Sequence, residues 1–196
     1  MEYQKTIRLK DGRKCQLRNG TENDGQAMRD VFVLTHEETD YLLSYPDEIT
    51  MTVEQEAYYL QEKANTEDEL ELLAEVDGKV VGIAGIEHVG MKEKTRHRAE
   101  FGISIIREYW GQGIGRAMTE ACIEMAKAAG YAQLELDVVE DNTPAMGLYQ
   151  HLGFVEYGRN PRGFHSRLTG YQPLVLMRLE LNGKEKILPA RDQEIQ

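Results

Sequence analysis

The chain has 196 residues, 41% of them hydrophobic and 29% charged, with a formal net charge of -11 and a pI near 5.0. That balance suits one globular domain able to bury a two-layer core, and the negative charge argues against nucleic acid or an anionic membrane as partner. The opening MEYQKTIRLKDGRK has no apolar run of signal-peptide type, and no stretch approaches the length of a membrane span. Two cysteines, Cys15 and Cys122, form neither a CxxC nor a metal-ligand cluster, so a cytoplasmic location and no metal are expected.

In chain order, TIRLK and KCQLR around Asp11-Gly12 predict a hairpin over residues 4–18. Thr21 with an acid three places on predicts a helix start, and Met28, Val31, Phe32 and Thr35 continue at helical spacing. HEETDYLLSYPDE, residues 36–48, carries five acids and two tyrosines and reads as an acidic loop broken by Pro46. A second helix is predicted from Val53 to Ala64, capped by Thr52 with Gln55. LELLAEV and KVVGIAGIE flank Asp77-Gly78, a hairpin signal, and HRAEFGISII is the next strand, antiparallel to its predecessor.

Trp110-Gly111-Gln112-Gly113-Ile114-Gly115 then punctuates the passage into a helix. Ile114, Ala117, Met118, Ala121, Cys122, Met125 and Ala129 form that helix's apolar stripe, and Gly130 ends it. AQLELDVV alternates as a strand. Thr143 as cap and Pro144 at the first helical position predict a further helix, stopped by Gly153. FVEYG, a loop RNPRGFHSRLTG and a last strand PLVLMRLEL follow. Residues 1–181 read as a single domain and 182–196 as a polar tail.

Three glycines at a strand–helix junction bring backbone N–H groups and the positive helix end to bear on one point, an arrangement that suits a diphosphate. Neither a dinucleotide fingerprint nor a P-loop matches the spelling: Arg116 and Met118 stand where the fingerprint needs glycine, and no Gly-Lys-Ser/Thr occurs. The stretch instead resembles the acetyl-CoA signature Arg/Gln-x-x-Gly-x-Gly/Ala of the Gcn5-related N-acetyltransferase (GNAT) superfamily, with Trp110 in the Arg/Gln position. A second segment, Asn142 to Phe154, resembles the pattern N-x-x-A-x-x-L-Y-x-x-x-G-F at every fixed position.

The resemblance implies an α/β fold with a mixed, mostly antiparallel sheet, splayed between its fourth and fifth strands to admit acetyl-CoA. It implies that the backbone of Ile103 and Ile105 pairs with the pantetheine arm and that the amides from Trp110 and Gly111 through Gln112, Gly113 and Ile114 to Gly115 hold the pyrophosphate. Arg116 would add a charged contact and Asn142 a hydrogen bond to the arm. Tyr149 corresponds to the family's acid at the thioester sulfur, since a phenol can protonate a departing thiolate.

An amine must be neutral to attack, so a general base is expected. Glu100 is the candidate, on the face opposite Phe101, Ile103 and Ile105; His97 is a weaker one. His36, His88, His151 and His165 show no ligand spacing. The expected activity is direct transfer of acetyl from acetyl-CoA to an amine-bearing acceptor, a small molecule ahead of a peptide, with no acyl-enzyme on Cys122. The rivals are a non-catalytic acyl-CoA-binding module and a protein acetyltransferase. A homodimer is common in the family. The acidic residues 36–48 would favour an amine, and Arg159, Arg162 and Arg167 either form a basic surface loop or read an acid on the acceptor.

Overall fold

The computed structural model describes residues 1–181; the expected tail at 182–196 lies outside the described residues. Eight strands form one sheet in the order β1-β2-β3-β4-β5-β6-β8-β7. They are β1 (Gln4–Arg8), β2 (Lys14–Asn19), β3 (Leu70–Val76), β4 (Lys79–His88), β5 (Arg98–Ile105), β6 (Gln133–Val139), β7 (Val155–Ser166) and β8 (Gly170–Glu180). The helices are α1 (Gly25–Glu38), α2 (Val53–Asn65), α3 (Ile114–Ala128) and α4 (Thr143–His151). All neighbouring strands run antiparallel except β5 and β6. This is the expected mixed sheet. The strand numbered fourth by resemblance is fifth in the chain, because both strands of the first hairpin join the sheet.

Local chemistry accounts for the boundaries. Asp77 and Gly78, at φ 52° and 78°, turn β3 into β4 with the left-handed backbone that a tight hairpin needs. Thr52 and Gln55 cap α2 reciprocally. Along α3 the stripe of Ile114, Met118, Ala121, Cys122 and Met125 is buried, and small alanines let the helix lie close to the sheet.

Four boundaries differ from expectation. Thr21 starts a short 3₁₀ turn, Glu22–Asp24, before α1. His36, Glu37 and Glu38 belong to α1, not to the loop, because Thr35 and His36 are buried and continue the helical face. Asn142, not Thr143, caps α4: its side chain accepts from the Ala145 amide at 3.4 Å, which moves Pro144 to the second helical position. Finally, most of RNPRGFHSRLTG is strand. β7 runs on to Ser166 through register breaks after Glu156 and Asn160. It is an edge strand, where Pro161 can sit without breaking a ladder.

The two faces of the sheet carry different helices. Tyr59 of α2 reaches Glu71 on β3. Met118 of α3 lies over Gly82, and Leu148 of α4 lies near Gly115, on the face of Ile105. Thus α2 covers one face, and α3 with α4 covers the other. Among the described residues no helix is long and apolar enough to cross a membrane.

Candidate active site

The site begins where the sheet fails to close. β5 and β6 pair only at Arg98, Glu100 and the residue between them, opposite Gln133–Glu135. Beyond that point β5 continues to Ile105 and β6 to Val139, so their facing backbone groups diverge without partners from each other. The closed end is riveted by Arg98, whose guanidinium meets Glu135 in a bidentate pair at 2.5 and 2.6 Å. Ile103 and Ile105 therefore stand on the unpaired edge, with an open strand edge available to an extended chain.

At the open end the strand turns through a 3₁₀ segment, Arg107–Tyr109, into the glycine stretch. Gly111 and Gly113 have φ of 73° and 98°, a region that favours glycine, and a Cβ added at either would meet nothing within 4 Å. Open space thus lies above the turn. The first intrahelical bond of α3 is from the Ala117 amide to Gly113, which leaves the amides of Ile114, Gly115 and Arg116 without helical partners. Gln112 Oε1 is buried in the turn and has no partner among the described residues. The three amides, donors beside open space, fit an anionic group such as a diphosphate; the Gln112 oxygen can only accept and takes no part in holding one.

Trp110, whose amide is expected among those that hold the pyrophosphate, already donates that amide to the Arg107 carbonyl at 3.0 Å. Its indole Nε1 donates to the Ile105 carbonyl at 2.6 Å, and the Arg107 guanidinium lies 5.4 Å from its ring centre. The side chain braces the end of β5. Arg116 is engaged by Glu120 one turn along α3 at 2.8 Å, so it would have to exchange partners to serve a phosphate. Asn142 uses its carbonyl oxygen as the α4 cap.

Tyr149 is buried, its ring set against Phe101 at 6.2 Å and Phe154 at 5.8 Å. Burial alone pushes its phenol up to about 12. Phe101 shares the α3 face with Ile103 and Ile105. Glu100 points to the other face, as alternation predicts, so phenol and carboxylate stand on opposite sides of the gap. Glu100 reaches solvent, yet desolvation raises its pKa first, and Asp137, Glu87 and Glu135 add their repulsion.

Past the C-terminal end of β6, the connection from α1 to α2 meets the β7–β8 turn. Arg167 pairs with Asp47 at 2.8 Å and lies 4.0 Å over the Tyr45 ring, while Ser166 donates to Asp40. The acidic and basic segments thus satisfy one another in part. Arg159 pairs with Glu140 and Glu156, and Arg162 stacks on Tyr171. His97 lies in the turn before β5, at the closed end, lining a groove of about 410 Å³ with His88 and Tyr131, away from the glycine turn. It is not brought to the site. The Arg98–Glu135 rivet and Asp137 escaped the sequence reading; acids alternating with Leu134 and Leu136 along β6 were the available signal.

A sequence model of the acetyltransferase (GNAT) family matches residues 32–154. Human N-acetyltransferase 8B is 35% identical over 91 residues, 45% of this chain and 39% of that protein. Phosphinothricin N-acetyltransferase of Alcaligenes faecalis is 32% identical over 120 residues, 60% of each chain. The chain therefore spans less than two thirds of the length of either. Among solved structures, a GNAT-family acetyltransferase of Streptococcus pneumoniae superposes with a TM-score of 0.81 at 29% identity, covering 85% of this chain and 99% of that one. A Salmonella typhimurium protein solved with its cofactor acetyl-CoA shares the fold, with a TM-score of 0.76 at 19% identity over 87% of this chain and 96% of that one.

Proposed function

The chain belongs to the acetyltransferase (GNAT) family, and from that premise we propose that it is an N-acetyltransferase that transfers acetyl from acetyl-CoA directly to a primary amine. The observation that carries this reading is the gap between β5 and β6, with a buried phenol on one face and a carboxylate of raised pKa on the other. Residues 1–181 form the single catalytic domain.

When bound, acetyl-CoA supplies an activated acyl group on a thiol leaving group. The edge at Ile103 and the Ile105 amide, whose own carbonyl is taken by the Trp110 indole, would hydrogen-bond its extended arm as an added strand, and one N–H there would polarise the reacting carbonyl. The amides from Gly111 to Gly115, backed by α3, hold its diphosphate. Glu100 takes a proton from the acceptor ammonium, directly or through water, on the face that reaches solvent. Tyr149 donates a hydrogen bond to the departing sulfur. Cys122 is fully buried with its thiol pKa pushed up by desolvation, which suits a mechanism without an acyl-enzyme. A small-molecule acceptor is the reading carried forward, and the acceptor panel below decides between it and a peptide.

The test is thiol release from acetyl-CoA across polyamines, amino acids, aminoglycosides and N-terminal peptides, with Glu100→Gln beside the wild type. Turnover confined to one acceptor class, lowered at least about tenfold by Glu100→Gln, is the expected result. Tight acetyl-CoA binding without turnover on any amine would instead favour a binding module.

A further inference from the structure

On the face that Glu100 occupies lies a hydrogen-bonded chain with no part in the reaction as described so far. Tyr59 of α2 places its hydroxyl between two carboxylates, 2.7 Å from Glu87 Oε1 on β4 and 3.1 Å from Glu71 Oε2 on β3. Lys63 lies 3.0 Å from the same Glu87 oxygen. Glu87 stands directly opposite Glu100 in the β4–β5 register. Glu71 is buried over Gly85, where an added Cβ would meet its Oε2 at 2.6 Å; only a glycine leaves that carboxyl its place.

One phenol carries one proton. With both carboxylates ionised, one of the two short contacts would bring oxygen against oxygen with no hydrogen between; at the buried Glu71 an ionised oxygen without a donor is costly, whereas Glu87, about half exposed, can also meet water. A second proton satisfies both contacts. Glu87 has the Lys63 ammonium beside it and is the natural anion. Glu71 is the more deeply buried of the two, and ionisation costs most there. The chain then runs from the Glu71 acid to the Tyr59 oxygen, and from the Tyr59 hydroxyl to the Glu87 carboxylate.

The charges around it agree. Burial raises the Glu71 pKa to about 7 against lowering by Tyr59 and Lys63, with Glu87 and Glu56 adding repulsion; Cys122 of α3 lies across the sheet, its thiol held neutral by its own burial. Glu87 is held low: Tyr59 and Lys63 outweigh its burial, helped by His88. Besides Glu87, Glu100 faces Asp137 and Glu135 of β6, the latter bound by Arg98 and by the Tyr157 hydroxyl.

We propose that Glu71, as a neutral acid, and Tyr59 are positioning residues that fix Glu87 as an anion opposite Glu100 and so raise the proton affinity of that base. The proposal rests on Glu100 serving as the base in the reading above. The buried acid of β3 thereby keeps charge where the reaction needs it without touching the acceptor.

Two measurements on the whole chain separate this proposal from that reading. Infrared difference spectra across a pH titration need no turnover. A protonated-carboxyl band present at pH 6 and absent from Glu71→Gln is expected; its absence from the wild type overturns the proton assignment. The pH dependence of kcat/KM follows. Glu87→Gln removes a like charge at cross-strand distance, so the ascending limb moves about one pH unit lower. Glu71→Gln mimics the neutral acid, keeps a donor to Tyr59 and leaves the limb in place, whereas Tyr59→Phe moves it in the same direction as Glu87→Gln by less. A limb that Glu71→Gln shifts as far as Glu87→Gln does would overturn the proposal. So would a limb that Glu87→Gln leaves unmoved while Glu100→Gln abolishes it, with the acetyltransferase reading intact. A limb that survives Glu100→Gln means that Glu100 is not the base, and the positioning role falls with it while the infrared result stands alone. Tyr59→Phe, which removes one atom, keeps the test open should Glu71→Gln fail to fold.

Discussion

Replacing Tyr149 by Phe isolates the leaving-group acid from the packing around it. The ring remains against Phe101 and Phe154, and the hydroxyl lost is one whose pKa is shifted by burial alone, with no hydrogen bond contributing. Stability should therefore stay within about 0.5 kcal/mol of wild type. The chemistry should not. A phenol at about 12 is a weaker acid than a thiol of about 8.5, so full proton transfer is uphill, and on the proposed reading Tyr149 would act mainly as a hydrogen-bond donor to the leaving sulfur.

That places its contribution at the lower end of general acid catalysis, about 10²-fold in kcat, or about 2.7 kcal/mol, with KM for acetyl-CoA little changed. The acid is protonated at every pH below its raised pKa, so any falling limb between pH 7 and 10 should persist in Tyr149→Phe. Thiol-reactive dye reports the product cleanly because Cys15 and Cys122 are buried, with Cys15 raised to about 11 by desolvation. A Tyr149→Phe protein with wild-type kcat and unchanged melting temperature would refute the assignment.

Gly113→Ala forces a side chain onto φ 98° at the mouth of α3 and should cost about 1–2 kcal/mol, read as a lower Tm, with the acetyl-CoA KM raised about tenfold. Arg98→Met strands the Glu135 carboxylate at the closed end of the gap; because Arg98 is partly exposed, a loss of about 2 kcal/mol is expected by urea unfolding, below that of a fully buried pair. Asp24→Asn should cost about 1–3 kcal/mol at pH 7, since its carboxylate accepts from Arg18 and Thr21. Those bonds outweigh burial and hold the Asp24 pKa low. The stabilisation is therefore present above the unfolded value of about 3.9 and lost as pH falls through the folded one, so urea melts of the two proteins should converge under acid conditions.

The strands and helices that were legible in the sequence were those whose periodicity and punctuation agreed. β3, β4 and the Asp77-Gly78 turn, the capped α2 and the striped α3 all came from short-range chemistry. The misreadings have long-range causes. Asn142 and Thr143 are equally good caps by residue type, and the backbone alone decides between them. Pro161 and Gly163 read as loop, yet an edge strand with register breaks absorbs both. At the candidate site, motif and alternation singled out Glu100 and Tyr149, which the structure sets on opposite faces of the sheet. The same signals passed over Glu71, Tyr59 and Glu87, because a glutamate in LELLAEV looks like any solvent-facing acid until β4 brings a bare glycine beneath it.

The gap between β5 and β6 also bears on how long the folded chain survives. Its unpaired backbone lies inside the sheet, flanked by core strands, where most proteins keep loose edges at the rim. On the proposed reading, acetyl-CoA completes that ladder, and each bound molecule withdraws folded protein from the unfolding equilibrium. At a concentration 100 times Kd the gain is about 2.7 kcal/mol, a large fraction of an ordinary domain's stability. Supply of the acyl donor would then set the enzyme's lifetime as well as its rate: a starved cell would hold less of the protein, and what remained would be the more easily degraded.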